Sequence, residues 1–236
     1  RKTAVTDGGW VGETDARPAT NAPTLGSQTL ECFGWYANPE VTQKALDAIE
    51  GAEQLVLDDI ADTWAEVTGE AYAIGDGDEK PSGVFAATSF YTAKTSSTSN
   101  SLDAAQFLTT YFALPAKYLP TAGWWMKPAT LATVSALAWP NLSDTPLVKF
   151  NETTGEATIL GKKVTLTDDA PAIGDGLYPA LFGDMRRGYA VGVHSQVTTL
   201  RDPYTNKPYV GFYTAGYSGG CPWDPQAILL MKSDNS

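Results

Sequence analysis

Histidine and cysteine are almost missing from these 236 residues: there is one histidine, His194, and there are two cysteines, Cys32 and Cys221. The cysteines lie far apart with no ligand-spaced partner, which argues against a metal centre or a disulfide framework. Two free thiols in a reducing compartment are expected, with one long-range disulfide as the other reading. Long apolar runs are absent too; none approaches the roughly 18 residues that span a bilayer. No basic-then-apolar leader is readable at the start. Because the first residue is Arg1 rather than Met, the chain is expected to be processed or to begin partway along its product. Basic residues are scarce, with 16 Lys and Arg against 27 Asp and Glu and a net charge of -11. That balance argues against direct nucleic-acid binding, which needs clustered cations. The 43% hydrophobic and 18% charged residues belong to a globular chain long enough for one large or two interleaved domains.

Residues Thr3 to Phe33 are rich in Thr, Gly, Ala and Pro, and Pro18 and Pro23 interrupt any helix. A loop of that length is functional or disordered rather than idle. Thr29 to Phe33 reads as a returning strand. Asn38-Pro39 reads as an N-cap followed by a first-turn proline, opening a short amphipathic piece from Val41 to Ile49. The strongest periodicity follows. Ala52, Val56, Ile60, Trp64, Val67, Ala71 and Ile74 recur at steps of four and three, which predicts one buried face of a helix over 50–74, about 36 Å long. Its opposite face carries Asp58, Asp59, Asp62 and Glu66, and no Lys or Arg occurs between Lys44 and Lys80. Gly75-Asp76-Gly77 should end the helix, and Lys80 to Phe85 reads as the approach to a strand.

Farther along, Phe90 to Asn100 reads as a Ser/Thr-rich connection. Leu102 to Ala113 reads as a helix with Leu102, Ala105, Leu108 and Phe112 on one side and Ser101 near its cap. Gly123 to Met126 is a strand closed by Pro128, with a short helix over 130–138. Asn151 to Gly155 has hairpin character, and Gly161 to Thr167 is another strand. No internal repeat is present. Trp124 and Trp125 have the form of a sugar-stacking platform, but aromatics in a strand are more often core.

The most informative stretch is Leu181-Phe182-Gly183-Asp184-Met185-Arg186-Arg187-Gly188-Tyr189, a turn and basic pair leading into an alternating strand. The chain closes on Trp223-Asp224-Pro225-Gln226-Ala227-Ile228. With the long helix, its Gly-Asp-Gly stop and the strand-Pro-helix order around Pro128, these resemble tailed-phage major capsid proteins of the HK97-like fold. The resemblance covers Trp10 to Lys232 and rests on the order and spacing of the motifs together. It implies an α+β fold with an extended loop over 3–33, to which Trp10-Val11-Gly12-Glu13 contributes. A peripheral domain with the spine helix would take 34–85 and 189–219, and an axial domain 86–188 and 220–233. The implied function is a structural major capsid protein that self-assembles into hexamers and pentamers of a phage or prophage head around double-stranded DNA. No cofactor, metal or catalytic residue is expected. Trp10, Glu13, Arg17, Arg186 and Arg187 are the candidate inter-subunit contacts. Asp58, Asp59, Asp62 and Glu66 are candidates for an inner acidic wall that keeps packaged DNA from sticking. Scaffold, portal and decoration proteins are implied as partners, and the virion, built in the bacterial cytoplasm, as the location.

Some members of that family weld subunits through a Lys-Asn bond assisted by a glutamate. Counting back from Pro225-Gln226-Ala227-Ile228 puts Pro208 and Ala215 at the matching positions, and Thr3 to Phe33 holds no lysine; a non-covalent shell is expected. Other motifs lead elsewhere. Gly216-Tyr217-Ser218-Gly219-Gly220 has the form of a hydrolase nucleophile elbow, but no histidine follows it. A His194, Asp202, Ser218 order would crowd a two-barrel protease into too short a span. Gly75 to Glu79 lacks the alternation of a calcium loop, and Gly174 to Gly176 is an ordinary turn with no phosphate-loop lysine after it. The alternatives are an encapsulin-type compartment and, in another class, a secreted carbohydrate-active protein.

Overall fold

The computed structural model describes residues 10, 11, 13, 16, 19, 20, 28–99, 101–139, 142–194 and 197–234. Most of the expected extended loop, including Arg17, lies outside the described residues.

One half of the molecule is organised by a 14-residue strand, β13 (Tyr209–Pro222). β1 (Phe33–Ala37) and β2 (Glu40–Thr42) pair with it antiparallel along one edge, and β11 (Tyr189–Val193) and β12 (Thr198–Asp202) along the other. Its side chains alternate, so Val210, Phe212, Thr214 and Ser218 are buried while Tyr209, Tyr213 and Tyr217 point to solvent. The buried face meets α2 (Ala52–Ile74) in a cluster of Ile60, Val210 and Phe212 flanked by Trp35, Val56 and Leu57. Trp64 stands edge-on to Trp35 at 4.6 Å.

The helix over 50–74 is present, starting two residues late after Gly51, which takes φ 80°. Its apolar face differs from the expected one: Val67 and Ile74 are exposed, while Ala52, Ile60, Thr68 and Ala73 are buried. A stripe at four-residue steps slants around a 3.6-residue helix. Thr68 can be buried because its hydroxyl donates to the Trp64 carbonyl at 2.6 Å. The end of α2 corrects another expectation. Gly83-Val84-Phe85 is no strand: the amides of these residues donate to the carbonyls of Gly75, Tyr72 and Ala73. They satisfy the carbonyls that a helix end leaves without partners. A Cβ on Gly83 would come within 2.6 Å of the Ala73 carbonyl group, so only glycine allows this approach.

The other half is a mixed seven-stranded sheet. Its order is β3 (Thr92–Ser99), β14 (Ile228–Asp234), β10 (Ala180–Gly183), β4 (Gly123–Met126), β9 (Lys162–Leu166), β8 (Ala157–Ile159) and β7 (Val148–Phe150). Only β3 with β14 and β4 with β9 run parallel. α3 (Ala104–Ala113) and α4 (Pro128–Ser135) pack beside it, and β5 (Ala138–Trp139) pairs with β6 (Leu142–Pro146). Trp124, Phe107, Met126, Phe182, Ile159 and Met231 are fully buried together. Trp124 stacks on Phe182 at 4.2 Å and donates its indole N–H to the Ile159 carbonyl, which makes it core rather than a sugar platform. The opposite side chains of β10 and β14, Leu181, Ile228 and Leu230, join Ala73, Phe85, Tyr91 and Tyr189 in a third cluster linking the two halves.

Four further expectations fail. Residues 92–99 are not a connection but the edge strand β3, whose Thr and Ser suit a half-exposed sheet margin. Asn38-Pro39 does not start a helix. It is the corner between β1 and β2, where the Pro39 carbonyl accepts from Phe212 N–H; α1 (Gln43–Ala48) begins later, capped by Thr42. The strand expected over 29–33 begins only at Phe33. On α3 the buried face is Gln106, Phe107 and Thr110, while Phe112 is 76% exposed. Asp103 caps that helix, accepting from the Gln106 amide at 2.6 Å. The Gln106 side chain donates to the carbonyls of Lys94 and Lys232, tying the helix to the parallel edge pair. An amide that satisfies two strands can take a place that the hydropathy pattern assigns to leucine.

Candidate assembly surfaces

The two stretches that carry the sequence signature lie against each other. Asp184 N–H donates to the Ala227 carbonyl, and Trp223 N–H and the Tyr91 hydroxyl both donate to the Gly188 carbonyl at 2.7 Å. Asp184 is buried; its carboxylate caps α5 (Met185–Gly188) by accepting from Arg186 N–H and also accepts from the Thr121 hydroxyl. Arg187 Nε lies 3.7 Å from Asp184 Oδ2, and its guanidinium stands 5.8 Å over the Tyr118 ring. The Tyr118 hydroxyl donates to Asp224 Oδ2 at 2.5 Å. Burial and that bond raise the phenol's pKa. Arg186 and Arg187 are therefore both exposed on a turn fixed from below, and Arg186 has no ion-pair partner among the described residues.

On α2, Asp58, Asp59, Asp62 and Glu66 are all exposed. Gln54 donates to Asp58 at 2.7 Å, and Arg201 from β12 lies 3.7 Å from Glu53 near the helix start. Of the arm residues, Trp10 and Glu13 are exposed, Trp10 fully, and Arg17 lies outside the described residues.

A surface that sequence reasoning missed is the outer face of the five-stranded sheet. Tyr36, Tyr209, Tyr213, Tyr217 and Leu200 all stand exposed on it, with Tyr36 stacked on Tyr213 at 6.5 Å. The alternation of tyrosines at 209, 213 and 217 was the readable signal. At one end of this sheet Asn206 donates to Glu40 at 2.7 Å, pinning the loop before β13 to β2. Asp202 accepts from Tyr204 N–H and from the Thr205 hydroxyl, which with the other bonds to the same turn lowers its pKa.

The elbow-like motif is a packing device. Ser218 is buried inside β13 between Phe33 and Val193, not raised on a strand-to-helix turn. Side chains on Gly216 and Gly220 would strike the Trp64 ring and the Tyr189 and Tyr72 rings. His194 is exposed and stands edge-on to Tyr217 at 6.2 Å. Cys32 and Cys221 are free thiols, the first exposed and the second buried. Among the described residues there is no cluster of three potential metal ligands, and no helix is long and apolar enough to cross a membrane.

The fold, a long helix laid on a ribbon sheet and joined to a second, buried sheet, is that of HK97-like shell proteins. The phage capsid family model matches residues 1–233, and the chain belongs to that family as a structural, major capsid protein. It is similar to the capsid of a native GTA particle, with 25% identity and a TM-score of 0.85, over 99% of this chain and 83% of that one. Gordonia phage Cozz shares the fold at TM-score 0.69 and 12% identity, over 100% and 80% of the two chains. The SrpI encapsulin of Synechococcus elongatus PCC 7942 shares it at 0.60 and 12%, over 86% and 73%. No curated protein matches the sequence.

Proposed function

We propose that the chain tiles an icosahedral head as hexamers and pentamers and encloses double-stranded DNA without performing catalysis. The observation that carries this reading is the likeness to the GTA capsid over nearly the whole chain. Closed symmetry turns modest pairwise contacts into a stable shell. The extended loop would occupy 3–33, the peripheral domain 34–85 and 189–219, and the axial domain 86–188 and 220–233. Trp10, Glu13 and Arg17 would contact a neighbour from the loop. Arg186 and Arg187 would reach acidic groups across a subunit boundary, which their exposure on a braced turn supports. Asp58, Asp59, Asp62 and Glu66 would face inward, where like charge keeps DNA from adhering. Scaffold, portal and decoration proteins would act on the shell as it assembles in the host cytoplasm, and its bonds would be non-covalent. Purified particles should protect DNA from nuclease. Protein cargo in place of DNA would favour the encapsulin reading, for which the likeness to the Synechococcus elongatus shell speaks.

A further inference from the structure

Gly192 and Gly219 face each other directly across the β11–β13 pair. Together they leave a slot without side chains on the sheet's outer face, and Leu30, Glu31 and Cys32 lie in it. A Cβ on Gly219 would collide with the Glu31 carbonyl oxygen and come within 3.1 Å of the Cys32 Cα. A Cβ on Gly192 would come within 2.6 Å of the end of the Leu30 side chain. Cys32 Sγ donates to the Gly192 carbonyl at 3.9 Å. One residue later Phe33 pairs with Ser218 on the far edge of β13. The chain thus crosses from the β11 edge to the β1 edge over the two glycines. Beside the crossing, Gln28, Thr29 and Glu31 line a cavity of about 400 Å³ shared with Ala86 and Phe90, so the segment is not packed on that side. Glycine weakens a strand interior, and here its presence is explained by close approach of backbone to backbone.

We infer that the Gly192–Gly219 pair is the seat that fixes the path of residues 30–32 across the sheet, making these glycines positioning residues for assembly. This rests on the proposed role of the 3–33 loop as an inter-subunit arm. A side chain in the slot lifts the crossing and misdirects the arm while the two sheets stay folded. The two positions are not equivalent. At Gly219 the obstacle is backbone, which cannot yield, whereas at Gly192 it is the flexible end of Leu30.

The test compares Gly219→Ala, Gly192→Ala and the double variant Gly192→Ala/Leu30→Ala with the wild-type full chain. Three readouts are taken: far-UV circular dichroism, thiol labelling of exposed Cys32 in unassembled subunits, and particles by electron microscopy. The expected result is native dichroism throughout, severalfold faster Cys32 labelling and loss of particles in Gly219→Ala, and a weaker form of both defects in Gly192→Ala. The double variant should regain particles, a rescue that general destabilisation would not give. Unchanged labelling in Gly219→Ala overturns the seat. Faster labelling with normal particles overturns its role in assembly. If Gly219→Ala does not fold, Gly192→Ala and its rescue decide. If the wild type itself forms no shells, the arm reading fails and the assembly role with it, while labelling still judges the seat.

Discussion

The two sheets of this subunit are finished to different degrees. In the seven-stranded sheet Trp124, Met126, Phe182, Ile159 and Met231 are sealed from solvent, with the one indole N–H among them satisfied. The five-stranded sheet meets α2 in a small cluster of Ile60, Val210 and Phe212, and its reverse face carries Tyr36 at 71% exposure beside Tyr213 and Tyr217. A monomeric protein rarely leaves so many large rings on one side of a sheet. The first region supplies the larger part of the buried core. The second is built like one half of an interface, and tyrosine, apolar in body and polar at its tip, suits a surface that is wet before assembly and dry after it.

The contrast can be broken by substitution, and the largest effect belongs to the sealed sheet. Phe182→Ala removes a buried ring that stacks on Trp124 and should cost the unassembled subunit about 3–5 kcal/mol in urea unfolding; a loss below about 1 kcal/mol would show that core to be loosely packed. Next comes Asp103→Ala, which deletes the α3 cap and the bonds to Ser96 and Ser97, at about 1 kcal/mol. This effect depends on pH with a definite sign. Burial raises the Asp103 pKa, but the hydrogen bonds from Ser97, Gln106 and Ser96 outweigh it, so the folded value lies below the ordinary one. Its stabilisation is complete above about pH 4 and is lost as pH falls through the folded value. The gap between wild type and Asp103→Ala should therefore narrow on acidification, and a constant gap would contradict the assignment.

Smaller stability changes with larger assembly changes are expected on the exposed surfaces. Arg186→Glu/Arg187→Glu removes the 3.7 Å contact of exposed Arg187 with buried Asp184, a smaller loss to the subunit than Phe182→Ala, yet should abolish particles seen by electron microscopy; intact particles would remove the arginines from the interface. Tyr213→Ala should shift subunit stability by about 0.5 kcal/mol or less while lowering particle yield. Lysines in place of Asp58, Asp59 and Asp62 should leave the fold intact and alter the amount and salt dependence of protected DNA, and unchanged packaging would sink the inner-wall assignment.

Sequence periodicity located most elements but not their surroundings. Strong patterns such as α2, β4 and the turn at Asp184 were readable because their own residues dictate them. β3 was not, because its Ser and Thr become a strand only through parallel pairing with β14, more than 130 residues away. The α3 face was misread because Gln106 is buried by bonds to Lys94 and Lys232, which no local pattern reveals. Likewise the Gly216 to Gly220 motif was set aside as an elbow for want of a following histidine, but what its glycines do answer to, rings and a crossing backbone from remote parts of the chain, is not written in the local sequence. The candidate surfaces followed the same rule. The arginine pair and acidic stripe were legible as charge runs, whereas the tyrosine face emerged only once β1, β12 and β13 were set side by side.

Electron microscopy of the purified full chain tests the central claim most directly. The account predicts closed shells built of hexameric and pentameric clusters, dissolving under denaturing electrophoresis to a single band at the monomer position. A monodisperse field of small monomers under all assembly conditions would contradict it, and a ladder of bonded oligomers from the shells would contradict their non-covalent character.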